Sequence, residues 1–275
     1  NGYGVKLVNI FAKTLTVHIV DGTRGLSYEQ TFSDNMTKVT TPVVKTSKQK
    51  SCVSLRWEPD FARFGYTDGR IPDEMVRLIE RRVYDLAMTL GKDVKVSWNG
   101  TLVKCRSLIE YAKAYGCDPV VFESPNERWS IAVASTPTEG FFQMSFVNGI
   151  WTSKGGKHVD AIADLVVGAV TDHLKQKKKT NTKPSIVKDH LALFVVSLIE
   201  NPSFSSQTKE CLTTKPSAFG SSYKLSEDTL KKIISKLDIV EKVLEVQAAR
   251  DSKDNTKTDG KKQIRITGIP KLDDA

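Results

Sequence analysis

The sequence lacks any apolar run long enough to cross a membrane. No uncharged stretch approaches the ~18 residues that a membrane span needs, and no basic and then apolar segment follows the first residue as in a secretion signal. We therefore expect a soluble protein without a membrane partner. The chain begins at Asn1 and its last residues carry no helix cap, so we expect it to be a segment of a longer protein.

Cysteine and histidine are also scarce, and neither is spaced to hold a metal. The four cysteines contain no C-x-x-C pair, and the four histidines contain no H-E-x-x-H motif. We therefore predict no metal site in this chain. Four unpaired thiols fit a reducing compartment better than secretion. No G-x-S-x-G sequence and no cysteine with a partnered histidine indicates a nucleophilic enzyme.

What the chain does have is a surplus of positive charge. Lys and Arg number 41 against 32 Asp and Glu, which gives a net charge of +9 and a pI near 9.2. This balance indicates a polyanionic partner without identifying it. With 275 residues, of which 39% are hydrophobic, the chain can form one large domain or two ordinary ones.

Helix and strand patterns are mixed without strict alternation. Strands are predicted over residues 14–20, 26–32, 52–57, 94–98, 101–105, 129–135 and 141–147. Helices are predicted over 5–12, 72–90, 107–115, 159–175, 187–199 and 225–237, the last continued by 238–250. Loops or linkers are predicted over 33–50, 175–183 and 251–263. This order favours an α+β fold made of two α/β sandwiches, each a sheet with helices on one face.

The first candidate site is the opening of the chain. Asn1, Gly2, Tyr3, Gly4, Val5 and Lys6 place two glycines and a lysine directly before a predicted helix. Backbone N–H groups at a helix N-terminus, with a lysine nearby, can hold a phosphate, and glycine allows its close approach. A glycine pair before an ordinary helix is the alternative.

The second candidate lies just after Asn201-Pro202. In Ser205–Glu210, the Gln207 amide and the Lys209 ammonium are two residues apart, with Thr208 between them, so both can reach one phosphate. A polar surface loop is the alternative.

Lysines form the third candidate. Lys175, Lys177, Lys178, Lys179 and Lys183 lie within nine residues that contain no acid. Such a run neutralises nucleic-acid phosphates without sequence preference, and a solvated loop is the alternative. A fourth glycine-lysine turn, 152–158, permits either an anion site or a plain turn. Asp160 and Asp164 are interpreted as a solvated helix face.

Several long motifs together resemble one family. They are Asn1–Phe11, Phe142–Ile150, Ser153–Asp160, Glu200–Glu210, Phe219–Ser221 and Gly268–Ala275. In this order they resemble eukaryotic-type DNA topoisomerase II, from one end of the chain to the other. The resemblance implies the last part of a GHKL ATPase domain over 1–115, a ribosomal-protein-like transducer domain over 116–240, and a helical connector and linker over 241–275.

The resemblance also implies roles for the candidate residues. Asn1, Gly2, Tyr3, Gly4, Val5 and Lys6 would wrap the triphosphate of ATP. Gln207, Thr208 and Lys209 would reach its γ-phosphate, with Lys209 as a catalytic residue that senses the nucleotide. Lys175, Lys177, Lys178 and Lys179 would contact double-stranded DNA. The family enzyme closes as a homodimer at its ATPase gate and resides in the nucleus, or in the cytoplasm if it is viral.

Some family residues have no counterpart in this chain. Val5 replaces the usual Ala, and residues 36–50 match poorly. The general-base glutamate, the Mg²⁺-binding asparagine and the adenine-binding aspartate would precede Asn1, and the cleavage tyrosine would follow Ala275. We therefore expect this segment alone to be inactive. The alternatives are a non-enzymatic basic DNA-binding module and a gyrase-like GHKL relative.

Overall fold

The computed structural model describes residues 2–66 and 68–259, and for 251–259 it describes the backbone alone. The strands are β1 (Ala12–Asp21), β2 (Leu26–Ser33), β3 (Lys38–Val39), β4 (Val43–Thr46), β5 (Cys52–Pro59), β6 (Ser97–Trp98), β7 (Thr101–Leu102), β8 (Val120–Asn126), β9 (Trp129–Ser135), β10 (Phe142–Val147), β11 (Ile150–Trp151) and β12 (Leu191–Ser197). The helices are α1 (Tyr3–Ile10), α2 (Asp73–Leu90), α3 (Leu108–Ala114), α4 (Lys157–Lys177), α5 (Pro184–Lys188), α6 (Glu227–Lys236) and α7 (Ile239–Asp259). The α+β class is confirmed.

Contacts divide the chain into two units, one up to Ile79 and one from Glu80 onwards. In the first unit an antiparallel sheet has the order β3-β2-β1-β5, and β4 also pairs with β2. In the turn after β1, an Asp21 carboxylate oxygen accepts the N–H groups of Thr23 and Arg24, at 3.0 and 3.1 Å. This turn sets the register in which Asp21 lies opposite Leu26.

An apolar stripe runs along β5, the edge strand of this sheet. Val53, Leu55 and Trp57 alternate onto one face and are 69%, 46% and 52% exposed. The neighbouring strand β1 adds the partly exposed Ile19 at the register position opposite Val53, while Leu15, opposite Trp57, is buried. The first unit therefore presents apolar side chains beside an unpaired strand edge.

The second unit is built on a mixed sheet with the order β11-β10-β12-β9-β8, in which β10 and β12 are parallel and the other pairs antiparallel. Both faces of this sheet are covered. One face packs Ile131, Leu193 and Val195 against helices that include α4, and the other packs Ala132 and Phe194 against α3. The expectation of helices on one face is therefore wrong for this unit.

The predicted helix over 187–199 is also wrong. Residues 184–188 form the short helix α5, and 191–197 form β12, whose side chains are almost all fully buried. A strand buried on both faces has no polar alternation, so its apolar run looks like that of a buried helix. The branched and aromatic residues of this run, such as Phe194 and Val195, are the signal that favours a strand.

Other boundaries shift for local reasons. The loop expected over 33–50 contains the short exposed edge strands β3 and β4, and the strands expected over 94–98 and 101–105 shorten to two residues each. The predictions missed β8 and β11. Helix α7 is separate from α6 and runs to Asp259, so the linker prediction is wrong over 251–259. Residues 260–263 of that linker lie outside the described residues.

The domain boundaries at 115 and 240 stay predictions. The contact division falls inside α2, and α3 packs on strands β8 and β9 although the prediction assigns it to the first domain. Among the described residues, no helix is both long and apolar enough to cross a bilayer.

The β5 stripe leads to a prediction about self-association of the 275-residue chain. Leu55→Lys places a charge in the stripe, and covering one exposed leucine contributes about 1.5–3 kcal/mol. We expect the isolated 275-residue chain to self-associate through this stripe, and Leu55→Lys to weaken that association at least about tenfold, measured by sedimentation velocity over a concentration series. Ser54→Lys, on the opposite face of the same strand, is the control. Equal effects of the two substitutions would contradict an interface on this face.

Candidate functional site

The N-terminal glycine motif (Gly2–Lys6) forms the start of α1, and Asn1 lies outside the described residues. Gly2 takes a left-handed backbone conformation at φ 69° and caps the helix without a side chain. A Cβ atom at Gly2 or Gly4 would meet no other atom within 4 Å, so the space beside the first turn is open. Residues 2–6 are exposed. The first N–H groups of an α-helix have no partner within the helix, so this end can receive an anion.

Asn35 holds the other end of α1 in the first unit. Its side-chain amide donates to the carbonyl oxygens of Ile10 and Ala12, at 3.0 and 3.3 Å, and to the Asp60 carboxylate at 3.1 Å. The Asp60 N–H in turn donates to the Phe11 carbonyl at 2.9 Å. These bonds tie the end of α1 to β1 and to the residue after β5.

The second candidate lies at the tip of a hairpin in the second unit, here called the Lys209 hairpin (residues 203–214). Its two arms are joined by hydrogen bonds from Ser205 N–H to Cys211 O at 3.0 Å and from Thr213 N–H to Ser203 O at 2.9 Å. Phe204 and Leu212 pair as an antiparallel bridge between them. The polar surface loop considered above is therefore an ordered hairpin.

Lys209 has an unusual backbone conformation at this tip. Its N–H donates to the Ser206 carbonyl at 3.1 Å and closes a four-residue turn, and its φ of 59° is left-handed. Glycine or asparagine is the usual residue in such a conformation. Gln207 and Thr208 are exposed in the turn, and the Lys209 ammonium lies 5.9 Å from the centre of the Phe204 ring. Lys209 forms no ion pair with any described residue.

The base of the hairpin rests on the turn 152–158, here called the glycine turn. Leu212 N–H donates to Gly155 O, and Lys157 N–H donates to Leu212 O, both at 3.0 Å. Gly156 and Leu212 form a parallel bridge. The Lys154 ammonium lies 2.6 Å from a Glu210 carboxylate oxygen, and this hydrogen bond raises the pKa of Lys154.

The lysine cluster lies at the end of α4. Lys175 and Lys177 belong to the last turn of α4, while Lys178 ends the helix and Lys179 follows with φ at 52°. The basic loop predicted over 175–183 therefore begins at 178. All four lysines are exposed, and none forms an ion pair with a described residue. Positive charge at a helix C-terminus also interacts favourably with the helix dipole.

Comparison with known proteins identifies the chain. A family model described as DNA gyrase B matches residues 99–262, which is more than half of the chain. The chain belongs to the DNA gyrase B family. It is 40% identical to the DNA topoisomerase 2 of Arabidopsis thaliana and 41% identical to that of Bombyx mori, in both cases over 100% of this chain. It spans 19% and 18% of these two relatives, about a fifth of their length.

Solved structures agree with this assignment to the gyrase B family. The ATPase region of Saccharomyces cerevisiae topoisomerase II matches with a TM-score of 0.82 and 34% identity, covering 90% of this chain and 64% of that one. The ATPase and transducer domains of topoisomerase II from Balamuthia mandrillaris match with a TM-score of 0.83 and 36% identity, covering 92% and 65%. The resemblance to eukaryotic-type topoisomerase II and the implied ATPase and transducer fold are confirmed.

In this gyrase B family member, donor groups of the glycine turn bind the Lys209 hairpin. The N–H of Lys157, which would face an anion at the start of α4, donates to Leu212 O, and the Lys154 ammonium is paired with Glu210. The turn is therefore occupied by the hairpin. Asp160 and Asp164 lie on an exposed face of α4, as predicted, and Asp160 is 3.9 Å from the Lys188 ammonium.

A buried polar cluster joins Thr152 and His158 of the glycine turn to Ser145 of β10, and the sequence patterns did not predict it. The Ser145 and Thr152 hydroxyls are 2.6 Å apart, and Thr152 Oγ1 lies 3.3 Å from His158 Nε2. All three side chains are fully buried. His158 Nδ1 has no hydrogen-bond partner among the described residues. Burial lowers the pKa of His158 to about 3, so the imidazole is neutral in the folded chain.

Acidic and metal-binding residues do not cluster in the described part of this gyrase B relative. Across residues 2–66 and 68–259, no group of three His, Cys, Asp or Glu side chains could hold a metal ion. The Gly268–Ala275 motif lies outside the described residues. The candidate residues of the described part are thus the glycine motif, the Lys209 hairpin and the lysine cluster.

His158 leads to a prediction about stability. In the unfolded chain its pKa returns to about 6.5, so protons bind the unfolded state first, and stability falls as the pH drops from about 6.5 towards 3. His158→Gln should remove this loss, which is about 1.4 kcal/mol per pH unit. Urea unfolding at pH 7.5, 5.5 and 4.5 measures the free energy of unfolding of wild type and of His158→Gln. His173→Gln, a partly exposed histidine on the same helix, is the control, and parallel profiles for wild type and His158→Gln would contradict the prediction.

Proposed function

We propose that this chain is the nucleotide-sensing part of an ATP-dependent type II DNA topoisomerase, which passes one DNA duplex through a transient double-strand break. In it, Lys209 and Gln207 sense the γ-phosphate and couple the nucleotide state to closure of a dimer gate and to DNA capture. The observation that carries this proposal is Lys209, an unpaired lysine in a left-handed conformation at the tip of an ordered hairpin.

The chemistry of Lys209 fits a switch that depends on a ligand. An ammonium that contacts the terminal phosphate stabilises the charge on the transferred group and loses its partner when that phosphate departs. A contact that differs between two nucleotide states is what lets a ligand shift a conformational equilibrium. The exposed Gln207 amide adds a donor beside it.

The N-terminal glycine motif also fits the phosphates of ATP. The open space beside Gly2 and Gly4 lets phosphate oxygens approach the backbone N–H groups, and Lys6 adds a positive charge one turn further along. ATP supplies the phosphoryl group that is transferred. Mg²⁺ is the metal that the resemblance implies beside ATP, with its ligand expected before Asn1, and no group of three His, Cys, Asp or Glu among the described residues could hold it.

Double-stranded DNA is the proposed partner of the lysine cluster. Lys175, Lys177, Lys178 and Lys179 are exposed at the end of α4, where their charges are not neutralised by described acidic residues. Each phosphate contact of this kind releases a counterion, so binding of this kind depends steeply on salt. We also propose a homodimer, as the family resemblance implies, and a nuclear location, because the relatives named DNA topoisomerase 2 come from eukaryotes. A fluorescent fusion found only in the cytoplasm would contradict the location.

Lys209→Ala tests the proposal in the full-length protein that carries this chain. Loss of a positive charge at the transferred phosphate should lower ATP-dependent strand passage at least about a hundredfold. DNA cleavage that needs no ATP should persist. Decatenation of linked circles and a cleavage assay measure the two activities. Lys215→Ala, an exposed lysine six residues further on, is the matched control. Unchanged strand passage in Lys209→Ala would contradict a nucleotide-sensing role.

Charge reversal tests the DNA contact separately. The triple variant Lys177→Glu, Lys178→Glu, Lys179→Glu should weaken duplex binding and reduce the dependence of log K on log salt by about 0.9 per lost phosphate contact. Fluorescence anisotropy with a labelled duplex from 50 to 200 mM salt (roughly the range over which such contacts titrate) measures it. Reversal of Lys45, Lys48 and Lys50, three exposed lysines of the first unit, makes the same change in net charge. Equal losses in both variants would indicate a general charge effect.

A further inference from the structure

The glycine turn and the Lys209 hairpin are joined by main-chain contacts. Leu212 N–H donates to Gly155 O and Lys157 N–H donates to Leu212 O, and Lys154 N–H donates to Glu210 O at 2.9 Å. Three backbone hydrogen bonds therefore fix the second arm of the hairpin against the turn. The last of them ends at the residue that directly follows Lys209.

Gly156 permits this close approach because it has no side chain. A Cβ atom there would lie 2.3 Å from the Leu212 carbonyl oxygen and 2.5 Å from its nitrogen, far inside contact distance. Its φ of 129° is also a conformation that other residues rarely adopt. Any side chain at this position must therefore push the hairpin away from α4.

Lys154 adds an ion pair to the contact between the glycine turn and the hairpin, on the side nearer the hairpin tip. Its ammonium is 2.6 Å from the Glu210 carboxylate, one residue from Lys209. Glu210 is the only acidic side chain of the hairpin, so this pair engages the one carboxylate there, and the Lys209 ammonium has no ion pair with a described residue.

The glycine turn is itself anchored to the sheet of the second unit. Thr152 N–H donates to Ser145 O at 2.8 Å, and the Gln143 amide donates to Ser153 O at 2.9 Å. Asn148 joins the ends of β10 and β12, since its side chain both accepts from Ile199 N–H and donates to Ile199 O at 2.9 Å. The turn is thus a firm base.

We propose that the glycine turn positions Lys209, with Lys154 and Gly156 as positioning residues that keep the hairpin tip in place and its ammonium unpaired. This inference rests on the function proposed above, in which Lys209 meets the terminal phosphate. Both residues would act through the geometry of the hairpin base.

A charge-swap series in the full-length protein tests the ion pair. The variants are Lys154→Glu, Glu210→Lys and the double swap of both. Each single variant should lower kcat for ATP hydrolysis about two- to fivefold, the range of an exposed ion pair, with little change in KM, and the double swap should restore it. Lys232→Glu and Asp228→Lys, a pair of equal 2.6 Å length on α6, are the controls and should leave kcat unchanged. Single variants without effect, or a double swap that does not recover, would overturn the role of the pair.

Hydrogen exchange gives a readout that does not depend on ATP. Mass spectrometry of the peptide over 203–213 should show faster exchange in the single variants than in Lys232→Glu, and recovery in the double swap. Unchanged exchange would overturn positioning even if hydrolysis fell. If Lys209→Ala left hydrolysis unchanged while exchange behaved as expected, the proposed function would fail and the structural link would stand.

Gly156→Ala tests the close approach. We expect at least a tenfold loss of kcat and faster exchange over the same peptide, because the hairpin must move. Gly168→Ala lies in the middle of α4, where a Cβ would meet nothing within 4 Å, and is the control. Normal kcat and exchange in Gly156→Ala would overturn this part of the inference.

Discussion

The parallel pairing of β10 and β12 is the constraint on which the second unit depends. β12 is buried on both faces between β10 and β9, so its residues pack against two separate clusters at once. After β10 the chain turns back as β11 and leads into the glycine turn beside Ser145 and Gln143, and the segment after β12 leads into the Lys209 hairpin. The hydrogen bonds of Leu212 with Gly155 and Lys157 then join two segments that are about fifty residues apart in the chain.

Two unusual backbone conformations lie at this contact. Lys209 adopts a left-handed conformation that an ordinary residue populates only at an energetic cost, and Gly156 adopts one that suits glycine. Surrounding hydrogen bonds compensate for both, through Ser206 in the turn and Leu212 at the base. Backbone strain of this kind is typical of positions where a side chain must point in a defined direction. Here that side chain is Lys209, which makes the proposed phosphate contact.

Much of the candidate site was predictable from local sequence. Glycines before α1, the lysines at the end of α4 and the Gln207-Thr208-Lys209 segment all stand out as consecutive letters, and the family resemblance assigns them to ATP and DNA. The Lys154–Glu210 pair and the Ser145–Thr152–His158 cluster were not predictable, because their members lie in different segments and no pattern marks them. The Asn148-Gly149 dipeptide is a common turn signal, and it was a local hint of the two hydrogen bonds between the Asn148 side chain and the Ile199 backbone.

The helix predicted over 187–199 was wrong, and it shows what an apolar sequence pattern cannot distinguish. An apolar run records that a segment is buried, but not whether its hydrogen bonds are made within the segment or with neighbouring strands. The sequence by itself determined the α+β class, the family and the residues with phosphate chemistry, since these depend on composition and short motifs. Only the tertiary structure decided that the glycine turn carries the hairpin of Lys209. The Lys157 N–H of the turn donates to Leu212 O, a partner supplied by long-range packing.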